Sequence, residues 1–225
     1  MSIDYDSYAK QFGRTDYWKQ VKRTVNGIPV SDDDIQLIVK RLSNKLDLKE
    51  SDYLLDLACG NGALSQFLFN SIYKFHGVDQ SSYLIDIAKS DFEKKDLFTF
   101  CCSDVMDYIS SEIEPEKYTK VLCYGSFSYF YEADKILSQL YEKFKNVDVV
   151  FVGNLPDLEK VKLFYKDSMP SLYLLKSHDT SIGIWRSMPE FRELANDSGW
   201  EVEFIRMPDS FYSSHYRYDA ILKRI

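Results

Sequence analysis

The sequence predicts an α/β protein: a doubly wound sheet, mostly parallel with its last strand antiparallel, preceded by an N-terminal helical lid. Three observations carry this expectation. Short apolar runs alternate with helical segments from Tyr53 to Gly153, the pattern of parallel strands covered on both faces. The stretch from Tyr53 to Leu64 ends an apolar run in two glycines, Gly60 and Gly62, ahead of a helical pattern. In such a strand–turn–helix junction glycine lets the backbone approach a ligand, and the helix N–H groups point at it. Finally, residues 201–207 and 216–225 are two strand-like runs joined by a loop, which turns the last strand back against its neighbours.

Taken in order, residues 4–25 place Tyr8, Phe12, Tyr17, Trp18 and Val21 at spacings that let much of the set share a helical face, interleaved with Lys10, Arg14, Lys19, Lys22 and Arg23. An amphipathic helix pair packed on the core and a lid over a polar or anionic ligand both satisfy that pattern. Ser31 followed by three aspartates marks a helix start, with carboxylates at the positive end of its dipole. Ile35, Ile38, Val39, Leu42 and Leu46 continue that helix over 32–46 as scaffold. Ala63 to Phe69 reads as the helix after the glycine turn. Strands follow at 74–79, 98–103, 120–125 and 147–153, with helices at 81–92 and 132–145. The right-handed rule for such crossovers leaves a doubly wound sheet as the simplest closure. Beyond Asn154 the rhythm changes: a helix over 156–166, a hairpin or irregular insertion over 171–185, and a helix over 188–198 carrying Pro189 in its first turn and closed by Gly199.

Composition bounds the function. The chain has 225 residues, 45% hydrophobic and 28% charged, enough for one domain with a full core. No apolar run approaches the roughly 20 residues of a membrane helix. The acidic first residues lack the basic and apolar regions of a signal peptide, so a cytoplasmic protein is expected. Cys59, Cys101, Cys102 and Cys123 lie in or beside apolar strand-like runs and are expected to be reduced core thiols, with no metal role. A net charge of −7 opposes attraction to phosphate backbones and makes nucleic acid an unlikely partner.

A dinucleotide is the first ligand that the glycine turn suggests. That fingerprint needs a third small residue where Ser65 stands, so the pyrophosphate match is partial. Asp79 ends the second strand about 20 residues beyond the turn, where a carboxylate accepts both hydroxyls of a ribose. Asp104, after the third strand, is placed to meet an adenine amino group with Val105 against the ring, and Asp56 heads the turn. Three carboxylates around one crevice suit a cationic adenosyl ligand.

Here the sequence resembles the class I S-adenosylmethionine-dependent methyltransferases. Leu55-Asp56-Leu57-Ala58-Cys59-Gly60-Asn61-Gly62 is similar to that family's first motif, with Ala58 where its first glycine is commonest. Gly77-Val78-Asp79-Gln80-Ser81 looks like the motif with the ribose-binding acid, and Ser103-Asp104-Val105 like the one that meets adenine. Val121 to Phe127 occupies the position of the fourth-strand motif bordering the methyl group. The resemblance covers residues 50–155. It implies a Rossmann-like sheet of seven strands in a single domain, with residues 1–48 as cap, 50–155 as cofactor-binding core and 156–200 as acceptor-side insertion. It implies S-adenosylmethionine as cofactor, bound by Asp56, Ala58, Gly60, Asn61, Gly62, Asp79, Gln80, Asp104, Val105, Tyr124 and Gly125.

Methyl transfer from a sulfonium is an in-line displacement, so the protein mainly aligns nucleophile, methyl carbon and sulfur. A base is needed only for an acceptor that must lose a proton. His178, His215 and Tyr124 are the candidates near the acceptor, whereas His76 is read as structural. By the strand period His215 shares a face with Arg217. The fourth strand lacks the Asn/Asp-Pro-Pro-Tyr/Phe signature of enzymes that methylate nucleic-acid amines. The expected partner is therefore a small-molecule acceptor, anionic or sugar-like and methylated on O or N. It would be met by Tyr8, Phe12, Arg14, Tyr17, Trp18, Lys22, Arg23, Asn154, Arg186 and Arg217. An RNA or protein methyltransferase, or a non-catalytic S-adenosylmethionine-binding protein, are the alternatives.

Overall fold

A computed structural model describes residues 5–224; Ile225, the expected end of the last strand, lies outside the described residues. The chain divides into two compact units, one running to Val121 and one from Leu122 onward. The division falls within the stretch 50–155 that the sequence suggests is a single core.

The first unit opens with two short helices, α1 (Tyr5–Ala9) and α2 (Tyr17–Gln20), then a two-stranded hairpin of β1 (Thr24–Val25) and β2 (Ile28–Pro29). The helix pair expected over 4–25 is thus reduced to single turns, and the chain after α2 takes left-handed conformations at Lys22 and at Asn26 in the hairpin turn. Helix α3 (Asp32–Leu46) follows as expected. Ser31 caps it by accepting from the Asp34 N–H at 3.1 Å, and Ile35, Ile38, Leu42 and Leu46 are buried. Strand β3 (Tyr53–Leu57) leads into the glycine turn. The helix expected over 63–69 is a turn followed by a 3-10 helix, Ser65–Ser71. It follows directly on the left-handed Gly60 and Gly62. Next come β4 (Lys74–Asp79), α4 (Ser82–Phe92), β5 (Phe98–Cys102) and α5 (Val105–Ser111). Helix α5 was not expected from the sequence. β3 pairs parallel with β4, and β4 parallel with β5. Leu54, Leu55, Leu57, Phe75 and Val78 are buried, as in strands covered on both faces.

β6 (Lys120–Tyr124) straddles the division. The second unit continues with α6 (Ala133–Lys143), β7 (Val149–Pro156), the single-turn helices α7 (Val161–Phe164) and α8 (Leu172–Leu175), α9 (Met188–Asp197), β8 (Trp200–Ile205) and β9 (Arg217–Arg224). The seven-stranded sheet has the order β5-β4-β3-β6-β7-β9-β8, and β9 is antiparallel to both neighbours, as expected of the last strand. One expectation for the insertion needs correction. Residues 156–166 are not one helix, because β7 runs on to Pro156 and the buried Asp157 interrupts the chain before a 3-10 turn and α7. Of the two readings of 171–185, the irregular insertion is the one found. Ser171 caps α8, and the Trp185 N–H donates to the Leu175 carbonyl at 2.8 Å.

Cys123 is buried and Cys59 and Cys101 are half-buried, but Cys102 is exposed and so is not a core thiol. It ends β5, an edge strand, and its thiol donates to the Gln80 carbonyl at 3.5 Å.

Asp157 is fully buried and pairs with the Arg206 guanidinium, while its other oxygen accepts from the Glu159 N–H at 3.0 Å. Breaking a buried pair strands the partner charge. Asp157→Ala is therefore expected to lower unfolding free energy by about 3 kcal/mol in urea titration. A loss below about 1 kcal/mol would show that the pair is not structural.

Candidate active site

The glycine turn is built from alternate left-handed residues: Ala58 at φ 58°, Gly60 at 60° and Gly62 at 75°. Such angles are strained for alanine and favour glycine. A Cβ on Gly60 would lie 2.9 Å from Val21 Cγ1, and one on Gly62 would lie 3.0 Å from the Phe100 ring. The turn is held by Asp79 at the end of β4. One oxygen of its carboxylate accepts from the Gly60 N–H at 2.8 Å and the other from the Ser81 N–H at 2.9 Å. Behind the turn, Asp56 on β3 is buried and accepts from the Ser65 hydroxyl. Burial, with the Asp79 charge adding to it, pushes the Asp56 carboxyl up to about 7. Burial raises Asp79 as well.

Residues 6–23 attach to this turn and to α4. Asn61, itself buried, donates to the Tyr17 carbonyl at 2.9 Å and to Gln20 Oε1 at 2.8 Å, while its own oxygen accepts from the Ala63 N–H. Gln20 returns its amide to the Gly13 and Arg14 carbonyls. Asp6 accepts from the hydroxyls of Ser81 at 2.5 Å and Ser82 at 3.0 Å and from the Tyr83 N–H. Those bonds, the Ser81 hydroxyl first, hold its carboxyl down at about 2. Tyr17 donates to Asp91 at 2.8 Å and packs on Phe92, and Arg14 reaches the Asp86 carbonyl at 3.3 Å. Lys22 lies over the Tyr8 ring, which meets Phe12 edge-on, and Arg23 lies over Trp18.

Other sequence candidates fall in varied settings. Asp104 caps α5, one oxygen accepting from the Met106 and Asp107 N–H groups, and Val105 is buried at the start of that helix. Gln80 is exposed beside Asp79. His76 is structural, as expected: it bonds Thr99, stacks on Tyr108, and burial lowers it to about 4.

In the second unit the Tyr124 ring lies against Gly153, and the Gly125 N–H donates to the Gly153 carbonyl at 2.9 Å. Asn154 takes φ 64° at an irregularity in β7. Its N–H donates to Asp219 at 2.8 Å, its side-chain oxygen accepts from Ser213, and its amide nitrogen lies near Gly125. Arg217 donates to the Asn154 carbonyl and stacks over Tyr216. His215 is exposed in the turn before β9, so the shared strand face expected for His215 and Arg217 does not exist. His178 stacks on Tyr131 at 3.7 Å, with its Nε2 buried and without a partner. Sequence reasoning missed Asp6, Gln20, Ser65, Ser213 and Asp219. Only Ser65 carried a local signal, as the polar residue where a small one was sought.

Residues 54–146 match the family model described as Methyltransferase domain. Ribosomal RNA small subunit methyltransferase A of Prochlorococcus marinus (strain MIT 9301) is 30% identical over 86 residues, 38% of this chain. The match spans 31% of that relative's length. Among solved structures, magnesium protoporphyrin IX methyltransferase from Synechocystis PCC 6803 superposes with a TM-score of 0.63 at 16% identity, covering 99% of this chain and 94% of its own. An S-adenosylmethionine-dependent methyltransferase from Clostridium acetobutylicum ATCC 824 gives 0.62 at 14%, covering 98% of each chain. The sheet order and the glycine turn define a Rossmann-like α/β fold, and residues 54–146 match a methyltransferase domain within it. In that stretch the chain is similar to the S-adenosylmethionine-dependent methyltransferases.

The residues around the turn fit that donor. Asp6, Asp56 and Asp79 lie within electrostatic reach in series, an anionic setting suited to a cationic ligand. The raised Asp56 value also has a stability consequence. The folded carboxyl titrates at about 7 against an ordinary 3.8, so the folded state binds the extra proton between these values. Its contribution is present at low pH and is lost as pH rises through about 7. Asp56→Asn, which keeps an acceptor for Ser65, is expected to unfold at a higher temperature than the parent at pH 8. Near pH 4 the two melting curves should converge; a constant offset across pH would mean that Asp56 is ionised throughout.

Proposed function

We propose that the chain transfers a methyl group from S-adenosylmethionine to an oxygen or nitrogen of a small, anionic or sugar-like metabolite. When bound, the donor supplies an electrophilic methyl carbon on a sulfonium. The protein's share is alignment and exclusion of water. Asp79 takes the ribose hydroxyls with the lone pairs left after Gly60 and Ser81. The main chain of 58–62 faces the donor, and Asp104 and Val105 flank the adenine. In the second unit Gly125 is offered as a donor contact and Asn154 as an acceptor contact. Of the two histidines offered as base, His215 is exposed, whereas His178 stacks on Tyr131 with its Nε2 buried.

The observation that supports a small acceptor is the seating of residues 6–23 on the glycine turn and α4 through Asn61, Gln20 and Asp6. A segment bonded there encloses the donor side, which suits a metabolite better than a polymer. An RNA acceptor is the second reading. The sequence likeness to the ribosomal RNA methyltransferase favours it, and the net charge of −7 opposes it.

Calorimetric titration with S-adenosylmethionine, S-adenosylhomocysteine and NAD tests the donor. Both adenosyl compounds are expected to bind, and Asp79→Ala to weaken them at least about tenfold, since a lost charge-assisted bond is worth about 1.5–3 kcal/mol. Binding of NAD alone would overturn the proposal. For the acceptor, the double variant Arg14→Ala, Arg23→Ala should keep donor affinity while raising the KM of any acceptor found by metabolite screening. An unchanged KM would remove the basic N-terminal segment from acceptor binding.

A further inference from the structure

The insertion between β7 and α9 carries its apolar side chains in two directions. Inward, Val161 of α7 and Leu175 of α8 are buried with Trp185 in one cluster, against which Phe164, Tyr165 and Tyr216 pack. Main-chain bonds fix its base: the Trp185 N–H donates to the Leu175 carbonyl at 2.8 Å, and the N–H of half-buried Arg186 donates to the Pro156 carbonyl. Outward, Leu163, Met169, Leu172, Tyr173 and Leu174 are exposed. Among the described residues of the second unit, Tyr131 is the one other exposed large apolar side chain.

The single turn of α8 shows what this surface suits. Leu172, Tyr173 and Leu174 are 62%, 78% and 39% exposed, and Leu175 alone turns inward. Successive helical residues point about 100° apart, so three in a row spread over about 200°. A folded partner's groove takes one stripe of a helix, with anchors three and four residues apart. A tip that is apolar nearly all round is covered by a medium that closes on it from every side, as a lipid interface does. The charges agree. Between Glu159 and Lys176 four lysines stand against two acids, Glu159 and Asp167, in a chain of net charge −7. Lys176 is engaged by Glu190, but Lys160, Lys162 and Lys166 are exposed, and among the described residues none of these three is in an ion pair. Lys160 and Lys162 flank Val161, and Val161 shares the buried cluster with Leu175 of the tip. A second copy of the chain fits poorly, since a two-fold contact through this patch would set the lysines against their own counterparts.

We propose that this face of the insertion is a docking surface for an anionic lipid bilayer. Leu172, Tyr173 and Leu174 enter the interface, and Lys160, Lys162 and Lys166 meet the headgroups. The contact is peripheral: no helix among the described residues is long and apolar enough to cross a membrane. The acidic remainder of the chain does not cancel the attraction, because exposed charges farther apart than about 8 Å are largely screened at physiological ionic strength. The surface lies wholly within the second unit and does not depend on the methyltransferase reading.

In the test the full chain is sedimented with vesicles of phosphatidylcholine alone and of phosphatidylcholine mixed equally with phosphatidylglycerol. It is expected to bind the mixed vesicles and to bind the neutral ones more weakly. Leu172→Ser, Tyr173→Ser and Leu174→Ser together should weaken binding to the mixed vesicles at least about a hundredfold, with a melting temperature close to the parent's. Lys160→Gln, Lys162→Gln and Lys166→Gln together should lower affinity for the mixed vesicles at least about tenfold. In Tyr173→Trp, the emission of the added indole, taken as the difference from the parent, should move to shorter wavelength on the mixed vesicles, which adsorption by charge alone does not produce. The last two variants decide the matter if the serine variant does not fold. The proposal is overturned by an absence of binding to the mixed vesicles, by equal binding of neutral and mixed ones, by unchanged binding of the serine variant, or by an unshifted emission. A dimer in sedimentation velocity that the serine variant loses, without vesicle binding by the parent, would assign the patch to a second copy and overturn it as well.

Discussion

The carboxylate of Asp79 bridges two backbone N–H groups, those of Gly60 and Ser81, and the first unit's arrangement depends on that bridge. The turn after β3 carries three residues with positive φ among five, and such a turn persists only where its surroundings over-determine it. Asp79 supplies that constraint from the adjacent parallel strand and at the same time fixes the start of α4. Ser81 and Ser82 then hold Asp6, and the turn's Asn61 holds Tyr17 and Gln20. The N-terminal segment is therefore attached by polar groups whose positions trace back to one carboxylate. The arrangement costs desolvation of Asp79, visible in its raised pKa.

The central strands were legible because strands buried on both faces read as continuous apolar runs, as in Leu54-Leu55 and Val149–Val152. The terminal antiparallel pair was legible from its joining loop. Helix α5 was not, because its seven residues are too few to show a helical period. Asp104, read as an adenine contact, was also its N-cap signal, since an aspartate accepting from the next turn's N–H groups is a common helix start. The insertion after β7 misled for a related reason. Its β-branched and aromatic residues suggest strands, but Ser171 and the Trp185–Leu175 bond close a single helical turn instead.

The site divides along similar lines. Positions set by the local chain, such as Gly60, Gly62 and Asp79, could be found from spacing alone. Groups that meet across long separations could not: Asp6 reaches Ser81 over 75 residues, and Ser213 reaches Asn154 over 59.

The insertion is joined to the segment after β6 chiefly through main-chain carbonyls. The Ile184 N–H donates to the Ser128 carbonyl, and the Ser128 and Tyr129 hydroxyls donate to the carbonyls of Ile182 and Ser181. Every residue type offers those insertion carbonyls, and every type but proline offers that N–H. The exposed side chains of the insertion, among them Met169, Leu172 and Tyr173, can therefore change through evolutionary drift without loosening the attachment. Gly183 is the exception, because a Cβ there would collide with the Ser128 carbonyl.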